Sequence, residues 1–255
     1  MSLQQWFYKL SMSYRILRQI LVPHYTSSRT TKHLFSQMKI MGVDSLAIVL
    51  LTSSFISMIF TFQVARELMY LNASNLVGSI LTVIFIRELS PVLTAIIVTS
   101  RIGSAFTAEI ASMKVTEQID VLYMLNVDPL QYLVNPRVHS CLLMLPLLTI
   151  IGFATSISSG IFVSAILYNI SPFTFLNASY LSVSILDLIY AMIKAFTFGL
   201  IIGVNSCTWG LTSAGGSVNV GRSTTSSVVT SLLVIFISDF FLSFVMYRNF
   251  NSLLS

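Results

Sequence analysis

Arginine and glutamate stand side by side at Arg87 and Glu88, midway along an apolar run from 76 to 100. Placing an ionisable group at the centre of a bilayer costs about 2.5 to 3.5 kcal/mol, so two in succession demand a wet or protein-lined site. Neighbours on a helix project about 100° apart, and the pair therefore does not neutralise itself. Pro91, lacking an N–H, deprives the carbonyl of residue 87 of its helical donor and favours a kink. A polar notch in an apolar wall suits an amphiphile with a charged head and acyl tails. A buried interhelical network is the competing reading. Asp187 and Lys194 would be its partners, seven residues apart and so nearly on one helical face.

A second group of charges follows. From Arg87 to Arg137 charge and hydrophobicity are interleaved, through Arg101, Glu109, Lys114, Glu117 and Asp120, while the flanking sequence is mostly apolar. The spacing predicts a short helix over 116–125, capped by Thr116 and favoured at its start by Glu117 and Asp120. Ile119, Leu122 and Tyr123 form its apolar stripe, and Asn126 followed by Pro129 closes it. A helix lying on anionic lipid carries Lys and Arg on its polar face. This one carries acids, which points to docking of a protein, with Glu117 and Asp120 addressing the partner.

The elements that hold these groups are set by composition. A chain of 255 residues with mean hydropathy +0.84, 55% hydrophobic and 9% charged, falls far below the roughly 25% charge of soluble domains. It reads as an all-α, multi-pass membrane protein. Runs of about 20 apolar residues span a bilayer, and spans are expected near 43–64, 76–100, 138–168, 183–208 and 226–247. The third contains Pro146, Gly152 and Gly160 and is read as one helix, tilted, kinked or extended beyond the membrane, rather than two. Lys9, Arg15, Arg18, Arg29, Lys32 and Lys39 concentrate the net charge of +5 near the N-terminus. That bias places the N-terminus, 101–137 and 209–225 on the cytoplasmic side and the C-terminus opposite. It reports topology rather than nucleic-acid binding. Before the first span, Leu3, Trp6, Phe7, Leu10, Tyr14, Leu17 and Leu21 share one arc of a helix expected to lie in the headgroup region and to stop at Pro23. Packing of that helix on the protein's own surface is the alternative. Gly199 with Gly203, and Ser156 with Gly160, have the spacing that lets helices approach closely, within the chain or between two copies.

Several runs carry a resemblance. Glu88-Leu89-Ser90-Pro91-Val92-Leu93-Thr94, Arg101-Ile102-Gly103-Ser104-Ala105, Ala108-Glu109, Val115-Thr116-Glu117-Gln118-Ile119-Asp120, Asp128-Pro129 and Tyr132 to Arg137 come in the order of the MlaE/YrbE signature. Ile193-Lys194, Phe198-Gly199, Cys207, Gly210, Gly215-Gly216, Val220 to Thr225 and Asp239 extend it to the C-terminus. The chain resembles that family of permease subunits of MCE-associated ABC lipid transporters. Phe62 to Glu67 and Leu122 to Leu125 look like its cyanobacterial and chloroplast branch, including red-algal plastid-encoded members. Ser90 departs from the glycine that the family often has there.

The resemblance implies an N-terminal interfacial helix and basic linker over 1–34 and a permease domain over 35–255. That domain would have five transmembrane helices, with a cytoplasmic coupling helix between the second and third. It implies a homodimer, a separate ATPase docked on the coupling helix through Glu117, Gln118 and Asp120, and an MCE-domain protein on the other side. Lipid would bind near Arg87 and Glu88, in a plastid envelope or bacterial inner membrane. No cofactor, metal, catalytic residue or nucleic acid is expected.

Other motifs are set aside. Gly216 to Ser223 has the spacing of a P-loop, but Arg222 replaces its lysine and the segment joins two spans instead of following a strand. His24, His33 and His139 show no ligand spacing. Cys141 and Cys207 lie in apolar segments and do not suggest a disulfide. Asn72-Ala73-Ser74 and Asn177-Ala178-Ser179 are read as chance sequons. A secondary transporter or channel would also bury charges, but no inverted repeat with paired broken helices is visible. A membrane scaffold without transport would explain the docking helix but not Arg87 and Glu88.

Overall fold

The computed structural model describes Lys9 and residues 11–18, 28–213 and 215–248. Every regular element among them is helical. In order they are α1 (11–18), α2 (Ser28–Tyr70), α3 (Ser74–Val115), α4 (Gln118–Met124), α5 (Leu130–Tyr168), α6 (Pro172–Ser182), α7 (Ile185–Leu211) and α8 (Ser217–Arg248). Five of these, α2, α3, α5, α7 and α8, are long and apolar enough to cross a membrane.

The expected spans are all present, and α2, α3, α5 and α8 run further than the apolar runs that announced them. The sequence reading took the chain out of the membrane after Arg101, yet α3 continues as one 42-residue rod to Val115. Its last part buries Phe106, Ile110 and Ala111 against α7 and α8. Protein contact rather than lipid sustains it. Pro146 lies inside α5 without ending it, as expected of a single long crossing. The segment 169–182, between the third and fourth expected spans, contains α6. Pro172 opens this helix, where a missing N–H costs nothing, and Phe175 and Ser179 are its buried face. Gly78 of α3 receives it so closely that a Cβ there would stand 2.4 Å from the Phe175 carbonyl oxygen.

Three apolar clusters stack along the bundle. Phe85, Leu81, Val77 and Phe175 fill one end. Val98, Ile102, Leu145 and Phe198 fill the middle. Ile110, Ile119, Val138 and Val204 fill the end at which α1 inserts Ile16. Within α1, Ile16 is 1% exposed and Tyr14 70%, so the face turned to the protein is not the one drawn through Tyr14. Ser13 shares a 3.2 Å hydrogen bond with Thr208, and the Lys9 ammonium lies over the Trp209 ring. Burial disfavours that charge and pushes the Lys9 pKa down to about 8. Leu3, Trp6, Phe7, Leu10, Leu21 and Pro23 lie outside the described residues.

Both small-residue pairs are used inside the chain. A Cβ on Gly199 would come within 2.6 Å of the Cys141 carbonyl oxygen, and one on Gly203 within 3.0 Å of Val138 Cα. Ser57 donates to the Ser156 carbonyl at 2.5 Å, and Gly160 lies against Thr61. Because the obstacle at Gly199 is backbone, Gly199→Ala must push α5 and α7 apart, and overpacking of this kind costs about 1 to 3 kcal/mol. A clear fall in the melting temperature of the detergent-purified protein is expected. Gly216→Ala, at a position with open space around it, is the control that should leave melting unchanged.

Candidate functional site

The environment of Arg87 and Glu88 begins with a backbone irregularity. Residues Phe85–Leu89 form a π turn within α3, with the Ser90 N–H reaching back to the Phe85 carbonyl. Such bulges concentrate at functional sites. Pro91 cannot serve the Arg87 carbonyl, and the donor that replaces it is the Lys194 ammonium of α7, at 2.8 Å. The same ammonium reaches Glu88 Oε2 at 2.9 Å, Ser243 Oγ at 2.7 Å and Asp239 Oδ1 at 2.9 Å. Ser243 in turn donates to Glu88 Oε1 at 3.0 Å. Lys194 is thus fully buried at the meeting point of α3, α7 and α8, with its charge balanced by carboxylates as a desolvated ammonium requires.

Arg87 turns the other way. Its Nε donates to Asp187 Oδ1 at 2.9 Å. The other Asp187 oxygen accepts from the Ser184 backbone and hydroxyl, in a capping box that starts α7. One carboxylate therefore fixes a helix end and an arginine together. The Tyr247 ring lies 4.7 Å from the Arg87 guanidinium carbon, and Tyr190 meets that ring edge-on at 5.7 Å. Arg87 and Glu88 keep 30% and 43% of their side chains exposed. Ile86, Pro91, Ile150, Phe153, Leu188 and Met192 line a small apolar niche among α3, α5 and α7, next to the pair along α3 but not lined by it.

The amphiphile notch and the interhelical network are alternatives in the sequence, and the geometry contains features of both. Asp187 and Lys194 are the pair's partners, one to each residue, yet part of each side chain remains exposed. The depth differs from that expected. Asp187 belongs to the first turn of α7 and Tyr247 to the last turn of α8, so the cluster starts at a helix end and runs about 10 Å inward to Lys194. It is central only with respect to the apolar run 76–100, and lies in the first half of the 42-residue α3. Sequence reasoning missed Ser243 and Tyr247 and gave Asp239 no role. Their signal was present: Asp239, Ser243 and Tyr247 recur every four residues and form one stripe on α8.

The proposed docking helix is present with altered boundaries. Thr116 does not cap it. Its hydroxyl donates backward to Ser112 at 2.9 Å, an intrahelical bond that a threonine side chain readily makes. The chain turns at Glu117, in the left-handed conformation with φ 60, and α4 runs over Gln118–Met124. Asn126, also left-handed at φ 57, closes it as expected. Ile119 is buried and Leu122 partly so, but Tyr123 is exposed together with Met124 and Leu125. Tyr123 therefore belongs to the outward face rather than the holding stripe. Glu117 and Gln118 are exposed, whereas Asp120 is held by Lys114 at 3.1 Å. Nearby, Glu109 pairs with the buried Arg137 at 2.7 Å. The P-loop-like Gly216 to Ser223 follows a helix and enters α8, without the strand that a nucleotide site requires.

The permease MlaE family model matches residues 34–245. The chain is 48% identical over 250 residues to the probable ABC transporter permease protein ycf63 of Pyropia yezoensis, covering 98% of this chain and 95% of that one. It is 44% identical over 248 residues to a probable ABC transporter permease protein of Synechocystis, covering 97% and 94%. It is 43% identical over 218 residues to the chloroplastic protein trigalactosyldiacylglycerol 1 of Arabidopsis thaliana, covering 86% of this chain and 62% of that one. Five apolar crossings, a match over most of the length and relatives in red algae, cyanobacteria and chloroplasts lead to one conclusion: this multi-pass membrane protein belongs to the MlaE permease family, on its cyanobacterial and plastid branch.

Proposed function

We propose that this chain is the permease subunit of an ABC-type lipid transporter of a plastid envelope or bacterial inner membrane, with Arg87 and Glu88 at the polar end of its lipid site. One observation carries the siting: a charge pair that is paired inward by Asp187 and Lys194 yet partly exposed, next to an apolar niche. A headgroup can meet the charges while acyl chains lie along the exposed apolar faces of the helices. ATP hydrolysis belongs to a separate subunit docked on α4, through Glu117 and Gln118 and the apolar residues beside them. A second copy of the chain and an MCE-domain protein complete the assembly, the latter at the opposite end from α4.

The test is ATP-driven phospholipid transfer in proteoliposomes containing the permease with its cognate ATPase. Glu88→Gln is the informative variant, because its amide oxygen still accepts from Lys194 while the charge is gone. Transfer should fall at least several-fold with ATPase recovery unchanged, since Glu88 lies about 40 Å of helix away from Val115. Normal transfer by this variant would reduce Glu88 to a structural member of the network. Transfer that needs no ATP would favour a secondary transporter.

A further inference from the structure

The aromatic residue over Arg87 carries a feature that packing does not explain. The Tyr247 hydroxyl is shut away from solvent and has no hydrogen-bond partner. A buried phenol hydroxyl normally finds one, and leaving it unpaired costs about 1 to 3 kcal/mol. Phenylalanine would provide the same ring over Arg87 and the same edge contact with Tyr190 without that cost. The ring centre lies 4.7 Å from the Arg87 guanidinium carbon and 5.8 Å from Lys194 Nζ, so the phenol that carries the unpaired hydroxyl belongs to the same charged cluster as Arg87. Asp187 fixes the guanidinium at Nε, and the guanidinium carbon stands over the Tyr247 ring. A planar guanidinium binds oxyanions best edge-on.

We propose that Tyr247 is a specificity-determining residue of the lipid site: its ring orients Arg87, and its hydroxyl donates a hydrogen bond to a phosphate oxygen of the headgroup. The inference rests on the siting of the headgroup at Arg87. Its consequence is a preference for phosphate-bearing lipids over uncharged glycolipids of the same acyl composition. The helix that carries Tyr247 is suited to admitting a ligand. In its most apolar stretch α8 is only 11% buried, the least enclosed of the five crossings.

The experiment uses the purified permease with its ATPase and two fluorescent probes, dioleoyl phosphatidic acid and dioleoyl monogalactosylglycerol, titrated against wild type, Tyr247→Phe and Arg87→Gln. In wild type the phosphatidic acid should bind more tightly. Tyr247→Phe should weaken phosphatidic acid by about tenfold, the scale of one hydrogen bond to a charged acceptor, and leave the galactolipid unchanged. Its melting temperature without added lipid should be equal to or above that of wild type, because no protein partner is lost. An unchanged preference in Tyr247→Phe, or a lowered melting temperature, would overturn the role given to the hydroxyl. If Arg87→Gln also keeps the wild-type preference, the headgroup does not sit at Arg87 and the underlying siting fails as well. If Arg87→Gln loses it and Tyr247→Phe does not, only the inference about Tyr247 falls.

Discussion

Lys194→Met is expected to be the most damaging single substitution in this chain. Methionine matches the length of the aliphatic stem, so the loss is that of the ammonium and not of volume. Removing it strips the Arg87 carbonyl of the donor that Pro91 cannot supply, and leaves Glu88 and Asp239 without their shared cation. Breaking a buried ion pair from one side costs about 3 to 5 kcal/mol, a large part of the stability of most domains. Monodisperse yield from detergent should collapse. Arginine is no remedy, because a planar fork cannot direct donors at the same converging acceptors as a compact ammonium does. The mechanism is checked by adding Glu88→Gln and Asp239→Asn to Lys194→Met. That triple variant removes the uncompensated charge and should recover much of the yield while transporting no lipid. A triple variant as poor as the single one would mean that the carbonyl bond, rather than charge balance, makes Lys194 necessary.

The second large effect is expected at α4. Met124 and Leu125 are 84% and 66% exposed beside Tyr123, and apolar anchors at the centre of an interface can each cost 2 kcal/mol or more when lost. Met124→Glu with Leu125→Glu should reduce recovery of the ATPase with the permease by about 100-fold or more. Reversing charge at Glu117 should do much less, since exposed ion pairs contribute about 0 to 1 kcal/mol. Asp120, already held by Lys114, is a weaker candidate for direct contact than the spacing of acids suggests. Both variants should retain membrane abundance and lipid binding, because the altered side chains face away from the bundle. Wild-type ATPase recovery with Met124→Glu and Leu125→Glu would remove this face from the coupling interface, and loss of the permease from the membrane would assign the face to folding.

What was legible in the sequence follows from the range of each interaction. Spans are local: twenty apolar residues announce a crossing by themselves, and all five were found. The ends of helices were less visible. Residues 101–115 look polar enough to leave the membrane, but their small and apolar side chains pack on α7 and α8, which are contributed by sequence some hundred residues away. Thr116 was misjudged because a threonine can cap the next helix or bond back to the last one, and the spacing alone does not decide between them. α6 was hidden in a segment without charge or long apolar periodicity, and only its fit against Gly78 explains it. At the site, Asp187 and Lys194 could be named as partners from their seven-residue spacing. Tyr247 could not, because an aromatic residue in an aromatic-rich span carries no mark until its neighbour across the bundle is known.

The claim that the headgroup of a lipid meets Arg87 and Glu88 is tested most directly by photo-cross-linking. A phospholipid with a photoreactive group on its head is reconstituted with the permease and ATPase, irradiated, and mapped by peptide mass spectrometry. The account predicts adducts within Phe85–Leu89 and on the last turns of α8 around Tyr247, diminished by excess unlabelled phospholipid. Adducts confined to the outward faces of α2 and α6, unaffected by that competitor, would show only surrounding bilayer and would contradict it.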